Sequence, residues 1–373
     1  GWNVIGGGEP EIPGISIGHN EYGAWGLTVF NTDGEDLYVY EINPKNSNEY
    51  MYEGAWEKMR VIEDVIQVKG SAPVKIELKY SRHGPIVHED VTNGLAYAVK
   101  PAWAEIGGAP YLASLRMDQA KDWGEFREAA NFSNIPGENM IWADREGNIG
   151  WQSVGIAPIR RGFSGLVPVP GDGRFEWDGY LPIKAKPNSF NPDIGFIETS
   201  NSNYTQPDYP HLEAIGYTWT DPFRWARGSE VLGSGRKLNM VDMIKLQHDY
   251  VSIPARTLLP FLKGLKSEDP LVESARAKLL DWDFKLASDS VEAGIYVAFE
   301  RSVLRKIEEL KVPSIAREYL TIGMKKTIDM LLAPDGDFGE DPLSGRDEFL
   351  LASLSEGVAD LEVKLGNKME DWV

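Results

Sequence analysis

The run "NTDGEDLY" (Asn31 to Tyr38) crowds Asp33, Glu35 and Asp36 into one turn between strand-like segments. Carboxylate and carbonyl oxygens at that density suit a hard cation such as calcium, although the full EF-hand spacing is absent and a solvated acidic loop is the plainer reading. A second candidate is "ETSNSNYTQPDYP" (Glu198 to Pro210), rich in asparagine. Asparagines there either shape turns or, where a side-chain amide is held inside the protein, donate to a developing oxyanion. A third is Arg224, in "TDPFRWARGSEVL", which opens a helical stretch and is equally an ordinary salt-bridge partner. The five histidines (His19, His83, His88, His211 and His248) carry less, since no two have the spacing of a helical zinc pair and His-Glu-x-x-His does not occur. His19, in a Gly-His-Asn turn, and His83, in "RHGP", are of the kind that hydrogen-bond their own loop. There is no Gly-x-Ser-x-Gly elbow, Walker loop or Rossmann fingerprint.

These candidates are spread over a chain of two characters. From residue 1 to about 235 the text is strand-like. "DLYVYEI" (Asp36 to Ile42) alternates as a half-buried strand does. "VIQVKGSAPVKIELKYSRHGPIV" (Val65 to Val87) predicts a hairpin with its turn at Lys69 to Ala72, and "LAYAVKPAW" (Leu95 to Trp103) a further strand. "NMIWADREGNIGWQSVG" (Asn139 to Gly155) predicts two strands joined at Asp144 to Asn148. From Arg160 to Asn191 the density of Gly and Pro is that of ordered loops. After about residue 236, "NMVDMIKLQHDY", "LVESARAKLLDWD", "VEAGIYVAFERSVLRKIEEL" and "FLLASLSEGVADLEVKLG" carry helical periodicity. The class is therefore α+β, with a large antiparallel sheet system over 1–235 and a helical segment over 236–373.

At 373 residues and 42% hydrophobic, the chain can bury a large core. A formal net charge of −19, from 57 acidic against 38 basic residues, repels phosphate backbones, so nucleic acid is not an expected partner. The absence of cysteine excludes disulfides, thiolate nucleophiles and zinc-thiolate sites. No apolar run has the length of a bilayer span, and no membrane partner is expected. No signal peptide is read at Gly1-Trp2-Asn3, and with no methionine there residue 1 is expected to result from processing or truncation.

Taken in order, "PGISIGHNEYGAWGLT", "DGEDLY", "RHGPI", "WADREGNIGW", "VPVPGDG", "WDGYLP", "NP" with "GFIETSN", and "DPFRWARGSEVL" resemble the β chain of the penicillin acylase family of N-terminal-nucleophile hydrolases, from Pro13 to about Leu232. "LQHDYVS", "LLDWD" and "DSVEA" resemble that family's helical C-terminal part, so the likeness covers most of the chain. Each motif is modest, but the ordered set is specific. The resemblance implies an αββα sandwich of two antiparallel sheets with a helical C-terminal segment, incomplete at both ends. It also implies hydrolysis of a linear amide, such as an N-acyl β-lactam antibiotic or an N-acyl homoserine lactone.

The likeness assigns roles residue by residue. The Gly-His-Asn turn and the Trp-Gly after it become structural. Val29 matches the residue whose backbone N–H forms half of an oxyanion hole, Asn201 the asparagine whose amide forms the other half, and Arg224 the arginine that organises the site. Leu27 matches a position lining the acyl pocket, where a small residue is familiar. Glu138 falls near another pocket position, polar where the family is apolar. A leucine at 27 reshapes the pocket toward an aliphatic acyl chain rather than phenylacetyl. For a structural calcium ion the resemblance implies side-chain ligands from Asp33 and Asp36 and carbonyl ligands from Glu35 and Gly165. Glu213 stands where an aspartate is usual, and a further ligand would come from a separate α chain of the same precursor.

The same resemblance places the nucleophile elsewhere. Family enzymes are made as one self-cleaving precursor. The freed N-terminal serine attacks through its hydroxyl while its own α-amine, with a pKa of about 7.7–8.0, takes the proton. Gly1 has no hydroxyl, and Trp2-Asn3-Val4 resembles the strand shortly before the Pro-Gly turn. The chain is thus expected to be an internal piece of the β chain, inert by itself, from a periplasmic or extracellular enzyme. Two other classes compete. A non-catalytic, calcium-dependent carbohydrate binder would line an exposed groove with Trp103, Trp142, Trp151 and Trp177. A glycosidase-like enzyme would face two carboxylates across a cleft.

Overall fold

In the computed structural model, which describes residues 2–373, Trp25 and Leu27 alternate with Ala24 and Gly26 so that the larger side chains share one face of a strand. With strands numbered along the chain, this is β3 (Gly23–Val29). It lies in a six-stranded antiparallel sheet with β1 (Ile5–Gly7), β2 (Ile17–His19), β11 (Glu138–Asp144), β12 (Ile149–Ser153) and β16 (Asn188–Phe190), in the order β1-β2-β3-β11-β12-β16. The β3–β11 register sets Trp25 opposite Trp142, Leu27 opposite Met140 and Val29 opposite Glu138, so all six side chains share a face. Helices α1 (Ser114–Met117) and α2 (Trp123–Ala130) contribute Met117 and Phe126 to the core on that face. Trp142 stacks on Trp25 with ring centroids 6.3 Å apart and meets Phe126 at 5.1 Å. Gly23 permits the packing, because a Cβ there would lie 2.3 Å from the Trp142 ring. Trp151 of β12, paired with Ile141, turns to the opposite face and a cluster with Phe30, Leu181 and Ile215.

The turn into β3 is held by Asn20. Its Oδ1 accepts from the backbone N–H groups of Tyr22 and Gly23 at 2.8 and 3.0 Å, and its amide donates to the carbonyls of Asp118 and Ala120 at 3.3 and 2.7 Å. His19 is the last residue of β2 and exposed, its Nδ1 lying 3.3 Å from its neighbour's carbonyl. Asn20→Ala is expected to cost about 1–3 kcal/mol, since it orphans groups on two segments, while His19→Ala costs less than about 0.5 kcal/mol. Urea denaturation of the two variants measures the contrast.

A second six-stranded sheet runs β14 (Val169–Pro170), β4 (Glu35–Glu41), β10 (Leu95–Pro101), β9 (Gly84–Asp90), β8 (Val74–Ser81) and β7 (Arg60–Ile66), antiparallel except for β14 beside β4. Tyr38 and Tyr40 of β4 are buried opposite Ala98 and Ala96 of β10. The predicted hairpin is β7–β8, with Ile66 opposite Val74, and β9 extends it through the turn at Arg82 and His83. Two smaller pairs complete the strands: β5 (Glu49–Tyr52) with β6 (Ala55–Lys58), and β13 (Pro158–Arg160) with β15 (Trp177–Tyr180). The stretch read as loops from Arg160 to Asn191 thus contains β14, β15 and β16. These strands are two to four residues long, too short for a period-2 signal, and exist through partners far away in sequence.

The chain divides into two units, Gly1–Trp219 and Thr220–Val373. The boundary falls ahead of the change of text near residue 236 because α4 (Phe223–Leu232), which follows α3 (Leu212–Ile215), is already helix. The second unit continues with α5 (Met240–Gln247), α6 (Ile253–Leu258), α7 (Pro270–Leu280), α8 (Val291–Lys311), α9 (Met324–Leu332) and α10 (Pro342–Leu365). Their starts are written locally. Asn239 and Asp242 form a capping box on α5, and Ser252, Asp269, Ser290 and Asp341 accept first-turn N–H groups on α6, α7, α8 and α10. The core joins Ile295, Phe299 and Val303 of α8 to Leu350, Leu354 and Val358 of α10. Among the described residues, no helix is long and apolar enough to cross a membrane.

Candidate active site

Asn201 lies beyond β16 in the left-handed region, with φ of 57°, directly after Ser200 with φ of 42°. Asparagine tolerates this conformation better than other residues with a Cβ, and two such residues in succession turn the side chain sharply. The Asn201 amide donates to the carbonyl of Val29 at 2.8 Å, across 172 residues of sequence. Asn139 of β11, wholly buried, donates to the same carbonyl at 3.1 Å and to the Thr28 hydroxyl at 3.2 Å. Trp151 fixes Asn139 from behind, its indole N–H donating to Oδ1 at 2.8 Å. Thr28 and Thr199 share a hydrogen bond of 3.1 Å, and Phe30 N–H donates to the Gly137 carbonyl at 3.0 Å. The end of β3 is thereby clamped from three sides. Val29 itself is half exposed, so the clamped backbone stands at the surface of this unit.

Leu27 and Glu138 fall on one face of the sheet, two residues back along β3 and opposite Val29 respectively. Leu27 and Met140 nearly fill the space between them and Tyr111, leaving a crevice of about 10 Å³ also lined by Ser16 and Ser133. Glu138 is buried. One carboxyl oxygen accepts from the Tyr111 hydroxyl at 3.4 Å, and the other has no hydrogen-bond partner among the described residues. Burial first, and then the charge of Glu9, push this carboxyl up to about 7, against the opposing pull of Tyr111. The folded protein therefore holds a proton there that the unfolded chain has released above about 4.5. The sign follows: stability is greatest below about 4.5 and is lost as pH rises through about 7. Glu138→Gln is expected to remove a decline of about 3 kcal/mol between about pH 4.5 and pH 8. Guanidinium unfolding at the two pH values checks it, and an unchanged slope would refute it.

The acidic turn closes on a side chain. Arg160, the last residue of β13, is wholly enclosed, and its Nε donates to both oxygens of the buried Asp36 at 3.0 and 2.8 Å. One terminal nitrogen donates to the Glu213 carbonyl at 2.9 Å, and the other to the Asp33 carbonyl at 2.9 Å, with the Asp33 carboxylate 3.2 Å away. Gly165 lies against the same group, for a Cβ there would sit 2.6 Å from Nε. Burial raises the Asp33 carboxyl more than Arg160 lowers it. The Glu35 side chain turns away to the indole N–H of Trp103. Of the residues expected around calcium, Asp33, Asp36, Gly165 and Glu213 gather on a guanidinium, and among the described residues no cluster of three or more His, Asp or Glu is arranged to hold a metal. The carboxylates of Asp36 and Asp33, the side-chain ligands expected for calcium, both face the Arg160 guanidinium, and Glu213 offers it a carbonyl rather than a carboxylate, so these three residues as placed do not fit a bound calcium ion.

Arg224 opens α4 in the second unit, whereas Val29, Asn201, Leu27 and Glu138 belong to the first. His83, in the turn between β8 and β9, is buried against the second sheet. Its Nε2 lies 2.9 Å from Glu176, its Nδ1 meets the Tyr40 hydroxyl, and its ring stacks on Tyr38 at 3.8 Å. It thus serves the sheet more than its own loop. Trp142 and Trp151 are wholly buried and Trp177 donates to Asp36, so only Trp103 of the four stands well exposed. Sequence reasoning did not single out Asn139, Arg160 or Lys186. Lys186 is fully buried, its ammonium donating to Thr32 Oγ1, Val154 O and Gly155 O at 2.8, 2.7 and 2.9 Å above the Phe30 ring. Burial pulls its pKa down to about 7.

Two sheets, antiparallel but for one short strand, with helices against the first, have the fold of an N-terminal-nucleophile hydrolase. The sequence pattern of the penicillin amidase family matches residues 1–373, and the chain belongs to that family. It is similar to the acyl-homoserine lactone acylase QuiP of Pseudomonas aeruginosa, with 26% identity covering 97% of this chain and 47% of that protein. It is also similar to penicillin G acylase of Escherichia coli, with 28% identity covering 100% and 48%. A solved structure of a thermostable penicillin G acylase from Alcaligenes faecalis superposes with a TM-score of 0.84 at 25% identity, covering 100% of this chain and 73% of that one. The chain spans about half the length of the curated relatives it matches.

Proposed function

We propose that these residues are the oxyanion-stabilising part of an acylase that removes an acyl group from an N-acyl substrate by hydrolysing a linear amide. The observation that carries this is the 2.8 Å bond from the Asn201 amide to the Val29 carbonyl. An amide hydrolase needs preorganised donors where negative charge develops on the former carbonyl oxygen. In this proposal Val29 N–H and the Asn201 amide are those donors, and the clamp of Asn139, Thr28 and Thr199 fixes their spacing before substrate arrives. A clamped backbone dipole does not reorganise during the reaction, and that is the source of its effect on the barrier.

The nucleophile in this proposal is an N-terminal serine freed by self-cleavage of a precursor and contributed by sequence outside these 373 residues, as is the partner α chain from the same precursor. Arg224 is proposed to organise the site, and the enzyme to work in the periplasm or outside the cell. Leu27, bulkier than the small residue familiar at that position of the family, is proposed to reshape the acyl pocket toward a flexible aliphatic acyl group rather than a flat phenylacetyl ring. The substrate is accordingly an N-acyl homoserine lactone in preference to a benzyl-type β-lactam. A carbohydrate-binding scaffold is disfavoured by the burial of Trp142 and Trp151.

The test is to express the complete reading frame, sequence the N-termini of the mature protein, and assay release of homoserine lactone and of 6-aminopenicillanic acid from their N-acyl derivatives. The expected result is a terminal serine and hydrolysis of the aliphatic substrate. A folded product with neither cleavage nor amide hydrolysis would reject the proposal.

A further inference from the structure

We infer that Arg160 is a built-in cation which does the structural work of a metal ion in the acidic turn, so that the folded protein neither holds nor needs calcium there. The inference stands on this turn alone and holds whether or not the amide-hydrolase proposal does. It begins with what the oxygens contact. Asp36 receives Arg160 Nε on both carboxyl oxygens, and the Trp177 indole N–H donates to one of them at 2.6 Å. The carbonyls of Asp33 and Glu213, from segments far apart in sequence, each accept from a different terminal nitrogen. A guanidinium is planar and always charged, and it carries five donors in a fixed fork. It can therefore gather one carboxylate and two carbonyls from three directions, which is the task a hard cation performs with six to eight oxygens.

Three further features show that the group is fitted to this place. Its side chain is 0% exposed and its main partner Asp36 is 2% exposed, so the charge is paired where water is absent. Gly165, with φ of 81°, leaves room for the guanidinium that any Cβ would take. The backbone of Arg160 is itself tied, in β13, opposite Trp177 of β15, the residue that completes the shell of Asp36. A calcium ion would require these oxygens to close to about 2.3–2.6 Å around one centre. They now stand 2.8–3.2 Å from three different nitrogens, so the ion and the guanidinium exclude one another.

The experiment uses the full-length protein, purified without added metal. Calcium content is measured by mass spectrometry, Tm is compared in EDTA and in excess calcium, and terbium is titrated while tryptophan is excited, Trp177 serving as the antenna. The expected result is less than about 0.1 calcium per chain, a Tm that moves by less than about 1 °C between EDTA and calcium, and no saturable terbium emission. About one calcium retained per chain, with a Tm that falls in EDTA and recovers with calcium, would overturn the inference. In Arg160→Ala, Tm is expected to fall by about 5–10 °C, and calcium to restore part of the loss by occupying the uncovered oxygens. An Arg160→Ala protein as stable as the parent in EDTA would also overturn it. If that variant does not fold, the metal content and EDTA response of the parent decide alone.

Discussion

Asn201→Ala is expected to lower kcat of the mature enzyme by about 10²–10³-fold while leaving its Tm within a few degrees. The amide makes a hydrogen bond to an exposed strand end, so its loss costs the fold little, whereas the loss of a donor in the proposed oxyanion hole acts in full on the transition state. Asn201→Gly separates the two effects, because glycine accepts the φ of 57° without strain. It is expected to be as inactive as the alanine variant and at least as stable. Asn139 makes the opposite case. It is wholly buried, grips the same Val29 carbonyl, and is gripped by Trp151. Asn139→Ala leaves the buried indole N–H of Trp151 unpaired and the Val29 carbonyl with Asn201 as its remaining side-chain donor, so it is expected to lose about 1–3 kcal/mol of stability as well as activity. Steady-state kinetics and thermal unfolding on the three variants check this, and an Asn201→Ala enzyme with near-normal kcat would remove the basis of the proposed function.

Lys186→Met is expected to destabilise the protein by about 3–5 kcal/mol, the largest effect of any single change proposed for this chain. Two terms oppose each other. Removing a buried ammonium relieves a desolvation cost, and methionine keeps the stem packed. Against that, the buried carbonyls of Val154 and Gly155 lose their donor together, and so does the half-buried Thr32 hydroxyl. Three oxygens match the three hydrogens of an ammonium, and orphaning all of them outweighs the relief. The pH dependence follows from the depressed pKa. The unfolded chain keeps its proton up to about 10.5 while the folded protein releases it near 7, so the charge penalty is carried in full below about 7 and eases as pH rises from there toward about 10.5. Urea unfolding of parent and variant near pH 6 measures the gap, and a variant equal to or more stable than the parent would show that desolvation wins.

Some of this molecule is written locally. The helical unit is legible because each helix carries its own period and many their own cap: Asn239 with Asp242 before α5, Ser290 before α8, Asp341 and Pro342 at the start of α10. The long strand β4 is legible because alternation survives over its seven residues, and β10 because it survives over Leu95 to Val99. The order of the motifs carried the family, and with it the roles proposed for Val29 and Asn201, since no local pattern marks a valine backbone or one asparagine among several as a donor pair. What the tertiary structure alone decided is where charge is buried. Arg160 meets Asp36 across 124 residues and Lys186 meets Thr32 across 154. A lysine or arginine in a Gly- and Pro-rich stretch reads as surface, because that is where most of them lie. Nothing near either residue in sequence says which distant segments will close over it, and whether an acidic turn receives a metal ion or a guanidinium depends on which distant strand brings its side chain there.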